Sequence, residues 1–65
     1  MLLNTKPNIA DADGFYADLL ATHRGLTESE SHALNARLVL ILANHIGDAE
    51  ALRSALMLAR ATAPA

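Results

Sequence analysis

The apolar positions of this 65-residue chain fall into three blocks of helical spacing, and the densest block lies in the middle. From Glu28 to Ile46, at about 100° per residue, Leu34, Leu38, Ile41 and Leu42 make one stripe. Ala36, Val39, Leu40, Ala43 and Ile46 make a second, and only Glu30, Arg37 and Asn44 share a polar strip. A helix that is apolar over most of its circumference must be covered on more than one side. So few other residues are available to cover it that the pattern implies a partner surface. Before this block, Phe15, Tyr16, Leu19, Leu20 and His23 share one face of a shorter helix over about residues 12–24, with Asp18 turned to water. After it, Leu52, Ala55, Leu56 and Ala59 form the inner stripe of a third helix over about 49–62. Arg53 and Arg60 mark the outer side of that helix, and Met57 and Leu58 spill beyond the stripe.

Local signals set the boundaries. Residues 1–10 read as an extended arm, because Pro7 disfavours helix at Lys6 and the asparagines Asn4 and Asn8 favour turns. Its Leu2, Leu3 and Ile9 either drape over the helices or another chain, or fray. Asp11 or Asp13 caps the first helix and Gly25 stops it. Thr27 and Glu30 have the spacing of a capping box. Gly47 ends the second helix and Asp48 caps the third, so the two meet at a sharp corner or an antiparallel hairpin. Ala63-Pro64-Ala65 reads as a short flexible tail. The expected fold is all-α: one small three-helix domain or bundle over residues 1–65, with an N-terminal arm and a tight corner between the second and third helices.

Composition sharpens the need for association. A domain this small buries only about 60% of the surface its unfolded chain exposes. Cysteine is absent, which removes disulfides and the common structural zinc sites. Phe15 and Tyr16 are the only aromatic residues, so the core must come from Leu, Ile, Val and Ala. The net charge of −2 and the scatter of Lys6, Arg24, Arg37, Arg53 and Arg60 argue against nucleic-acid binding. The longest aliphatic run, Leu38 to Ala43, is far below the roughly 20 residues that cross a bilayer. The first residues lack the basic and apolar regions of a secretory signal. A soluble cytoplasmic protein is the expectation.

Candidate chemistry is sparse. His23, His32 and His45 are the groups able to titrate near neutral pH. His23 reads as a helix-terminal or packed histidine, and His32 as the surface partner of Glu28 one turn before it. His45 lies on the stripe of Leu38, Ile41 and Leu42, as a buried histidine or as a polar contact at an interface. A metal site would need His23, His45 and a carboxylate such as Asp48 to converge, since no two histidines stand one turn apart. The carboxylates Asp11, Asp13, Glu28 and Glu30 sit at helix starts, where their charge is structurally useful. Ser31 and His32 are adjacent and point apart on a helix. No cofactor is expected, and no catalysis by the chain alone. Asn35, Arg37 and Asn44 interrupt an apolar helix. Asn35 is placed to bond to the first helix or the arm, while Arg37 and Asn44 share a strip that meets either a partner or water.

Asn4 to Asn8, Asp13, Phe15, Tyr16, Leu19 and Leu20, the run Leu34 to Leu38 with Leu40, and Leu42, Ala43 and Asn44 with the Ile46-Gly47-Asp48 corner carry a resemblance. The chain resembles a family of short bacterial proteins catalogued as a domain of unknown function. Members look like genomic companions of flavin-dependent aromatic hydroxylases, which implies an accessory role in aromatic-compound breakdown. The resemblance brings no functional residue with it.

The function expected is a small non-catalytic interaction or accessory protein that homo-oligomerises or docks on a larger enzyme. Arg37, Val39, Leu40, Asn44, Met57 and Leu58 are the residues expected at the contact. The alternative is a small-molecule or metal-responsive regulatory module.

Overall fold

The computed structural model describes residues 1–62 and contains an extended arm followed by three helices: α1, Ala12–His23; α2, Glu28–Ile46; and α3, Ala49–Ala61. There is no strand among the described residues. The fold is all-α, as the spacing predicts, and the expected tail at Ala63-Pro64-Ala65 lies outside the described residues.

Each helix starts on the polar side chain that its sequence offers. Asp11, rather than Asp13, caps α1, its Oδ1 accepting from the Gly14 amide at 3.0 Å. A Cβ at Gly14 would run into the Asp11 carboxylate, so glycine is what allows the cap to sit so close. At the start of α2 the capping box is complete: the Glu30 amide donates to Thr27 Oγ1 at 3.2 Å, and the Thr27 amide donates to Glu30 Oε1 at 2.9 Å. The bond from the Thr27 backbone, and after it the one from the Thr27 hydroxyl, holds the Glu30 carboxyl below its ordinary pKa. Asp48 caps α3 by accepting from the Ala51 amide at 3.0 Å.

The joints differ. Between α1 and α2 the chain turns through Gly25, with the Leu26 amide bonded to the His23 carbonyl at 3.1 Å. Between α2 and α3, Gly47 takes a left-handed φ of +69° and its amide closes on the Ala43 carbonyl at 2.9 Å. Only Gly47 and Asp48 separate the two helices, and no two helices lie close along their lengths. The junction is therefore a corner and not an antiparallel hairpin. The arm crosses that corner, with the Met1 ammonium 2.8 Å from Asp48 Oδ2 and Leu3 half-buried. This ammonium, and then the Ala51 amide, lowers the Asp48 pKa.

The expected stripes are covered only in part. Ala51, 5% exposed, is the sole fully buried hydrophobic residue among those described. On α3 the covered face is Asp48, Ala51, Leu52 and Ala55, whereas Leu56 and Ala59 of the expected inner stripe are exposed. On α2, Leu34 and Leu38 are half-buried but Ile41 and Leu42 of the same stripe are exposed. On α1 Gly14, Leu19 and His23 are half-buried, and Phe15, Tyr16 and Leu20 face solvent. The physical reason is length and direction. With 12 residues, α1 spans about 18 Å against about 28 Å for the 19 residues of α2, and α3 departs at a corner instead of folding back. The helices do not close on one another as a bundle.

Candidate functional site

Among the described residues, the polar cluster that ties two helices together is at the α1–α2 turn. His23 Nδ1 lies 2.9 Å from Ser31 Oγ, and Nε2 lies 3.0 Å from Asn35 Oδ1. Asn35 Oδ1 can only accept, so Nε2 carries the hydrogen, and in the neutral ring Nδ1 accepts from the Ser31 hydroxyl. The last turn of α1 is thereby fastened to the second and third turns of α2. Asn35 does bond across to the first helix, as its place in an apolar helix suggests. Ser31 enters through tertiary contact with His23, eight residues earlier, and not through its neighbour His32. No local spacing signals that pair, because a turn brings it together.

The order hydroxyl, imidazole, amide is also that of an activated nucleophile with an orienting group. Such a group needs a recess in which substrate is held away from water. The cavities of about 240 Å³ and 470 Å³ lie under and beside the arm, and neither is lined by Ser31. What the geometry shows at the α1–α2 turn is a clasp, three side chains bonded across the turn.

The smaller cavity sits beneath the arm at the corner, between Leu2 and Leu3 on one side and Ile46, Leu52 and Ala55 on the other. Its walls are mainly aliphatic, and its volume falls below the roughly 300–1,000 Å³ of usual small-molecule sites. Among the described residues no group of three or more His, Asp or Glu side chains is placed to hold a metal ion. His23 is committed to its clasp, His32 stands 4.0 Å from Glu28, and His45 is exposed rather than buried on its stripe. No helix among those described is long and apolar enough to cross a membrane.

The largest feature is the uncovered apolar surface. The six residues expected at a contact, Arg37, Val39, Leu40, Asn44, Met57 and Leu58, are all exposed. They do not form one face. Arg37, Leu40 and Asn44 share a side of α2, Val39 is turned well around the same helix, and Met57 and Leu58 belong to α3. Ile41 joins the first group, although the sequence pattern assigns it to a core stripe. It is 64% exposed beside Leu40 at 70%. The half-buried Ser31, Leu34 and Leu38 point α2 toward α1, while Ala43 and Ile46 turn toward the corner and the arm. By helical rotation, Ala33, Arg37, Leu40 and Asn44 lie opposite to both, and Ile41 flanks them on the Leu34 side, past the reach of α1.

The bareness can be measured. A folded monomer of 6.9 kDa exposes about 4,000 Å². This chain exposes 5788 Å², and its radius of gyration of 13.4 Å exceeds the about 11 Å expected for a compact domain of its length.

Comparison with curated proteins and with solved structures returned no match. The model of one protein family does match, over residues 3–61, and that span takes in the arm, the clasp, the corner and the open face of α2. The chain belongs to this family, described as "Protein of unknown function (DUF2783)".

Proposed function

We propose that this chain is a small non-catalytic interaction protein that completes its hydrophobic core on another protein surface, by oligomerising or by docking on a larger enzyme. The observation that carries this reading is the accessible surface of 5788 Å², with Ala51 the only buried residue among those described. Ordering each backbone residue costs about 1–2 kcal/mol, which burial at about 25 cal/mol per Å² must offset. A chain that leaves its large aliphatic residues in water gains little of that burial by itself, and a partner surface supplies the remainder. Leu40, with Arg37 and Asn44 beside it, is the centre of the contact, and Val39, Met57 and Leu58 extend it. The partner is a protein, neither nucleic acid nor membrane, and no cofactor is required. The setting is an accessory role beside a flavin-dependent aromatic hydroxylase in the cytoplasm, supported by the family resemblance of the sequence.

The test is dye binding and amide hydrogen exchange on the chain alone, across a concentration series. Association with concentration, or a monomer that binds a hydrophobic dye and exchanges its amides quickly, agrees with the proposal. A monomer with strongly protected amides and no dye binding overturns it. The cavity under the arm favours a second reading, a small-molecule-responsive module. Melting temperature with and without small aromatic compounds tests that reading, since a ligand selective for the folded chain must raise it.

A further inference from the structure

We infer that the occupant of the open α2 face is a second copy of this chain, paired antiparallel about a two-fold axis passing between Leu40 and Ile41. This rests on the reading that the chain completes its core on a protein, and names the protein.

Area is the first argument. The chain exposes about 1,800 Å² more than a compact monomer of its mass, so two copies together have about 3,600 Å² to cover. Obligate homodimers bury 2,000 Å² and upward, so self-pairing accommodates this surplus with the α2 face at its centre and the exposed aliphatics of α1 and α3 around it.

Register is the second. A two-fold interface sets residue i against residue j and j against i, so the face must complement itself. Arg37 and Asn44 lie at equal distances on either side of the Leu40–Ile41 midpoint. Antiparallel pairing therefore sets each Arg37 beside the partner copy's Asn44, a guanidinium that only donates against an amide oxygen that accepts. Across the axis, Leu40 meets Leu40 of the other copy on one edge of the seam and Ile41 meets Ile41 on the other. Among the described residues neither Arg37 nor Asn44 has a hydrogen-bond or ion-pair partner within the chain. A parallel pairing would instead set Arg37 against Arg37.

The test combines solution mass with cross-linking of the full chain, which has no cysteine of its own. The unmodified chain is expected at twice its 6.9 kDa mass. A mixture of the Arg37→Cys and Asn44→Cys chains is expected to form a disulfide, while neither chain does so alone. In this register, like positions are about 10 Å apart along the axis, beyond the about 7 Å that a disulfide spans. Both positions are exposed, and circular dichroism on each variant checks that helicity is kept. A dimer that cross-links through like positions, or not at all in the mixture, overturns the register. An expanded, dye-binding monomer overturns self-pairing and leaves the need for another protein intact. A compact monomer that binds no dye overturns both.

Discussion

The two joints of the molecule and the long middle of α2 are built in opposite ways. At the α1–α2 turn the chain spends a capping box and a three-member hydrogen-bond cluster on one connection, and at the α2–α3 corner a left-handed glycine, an Asp cap and an ammonium pair. Between them, Leu40 and Ile41 stand largely in water, 70% and 64% exposed. Polar geometry thus fixes where the helices begin, end and turn, and leaves the apolar middle of α2 exposed. Shape and stability are separable in this chain, and each can be attacked alone.

The strongest attack on the bare middle is Leu40→Glu. Losing a buried Leu and desolvating a carboxylate should weaken the assembly by about a hundredfold or more, corresponding to roughly 3 kcal/mol. Helicity should remain, because Leu40 is largely exposed within its own chain. Sedimentation or light scattering reads the mass and circular dichroism the helix content; Arg53→Gln, on the polar side of α3, is the control that should change neither. An assembly that survives the substitution places the interface elsewhere, and a monomer that unfolds makes Leu40 a core residue.

The corner is attacked through Gly47→Ala. A Cβ at Gly47 has room, its nearest neighbour being the Asn44 carbonyl at 3.7 Å, but an alanine held at a φ of +69° is strained by about 1–2 kcal/mol. For a domain of this size that corresponds to a fall in melting temperature of about 4–8 °C per kcal/mol, read by thermal denaturation at one fixed protein concentration. A melting temperature that does not move would mean that the corner relaxes freely.

The difference between joints and middle also explains how much was legible beforehand. Caps and glycines act over three or four residues, so Thr27 with Glu30, Gly47 and Asp48 announce themselves in the sequence, and the helix limits fall within a residue of the spacing. Stripes announce only that a face is apolar. Leu34 and Ile41 look equivalent on a helical wheel, yet α1 ends before it can reach Ile41. Leu56 and Ala59 share the α3 stripe of Leu52 and Ala55, yet the corner turns Ala51 inward beside Leu52 and Ala55 and leaves Leu56 and Ala59 exposed. The His23–Ser31 bond carries no periodic signature, whereas Asn35 was legible as a polar residue needing a reason within an apolar helix.

The clasp is a smaller target than the corner. His23→Ala removes two half-solvated hydrogen bonds, and Asn35→Ala removes one, so losses of about 1–2 and about 1 kcal/mol are expected. The effect should be local: amides of α1 should exchange faster while the mass of the proposed dimer is unchanged. If the mass falls instead, α1 takes part in the contact.

Acid gives the smallest and most diffuse effect, because Glu30 is open to solvent and Asp48 is only half-buried. The Glu30 carboxyl is held below its ordinary range by the Thr27 amide and hydroxyl, and Asp48 by the terminal ammonium and the Ala51 amide. A folded-state pKa below the unfolded one means that the unfolded chain binds protons first as pH falls. The stabilisation is therefore complete above the unfolded value, near 4, and fades as pH drops through the lower folded value. Melting temperature should be flat from neutrality to about pH 5 and decline below it. Glu30→Gln keeps a group that can bond back to the Thr27 amide but does not titrate, so it should flatten part of that decline. Leu40→Glu, which adds a carboxylate to the dimer face, should instead regain association as the same range is crossed. Opposite responses to acid from two glutamates on one helix would locate the polar joints and the apolar middle by titration alone.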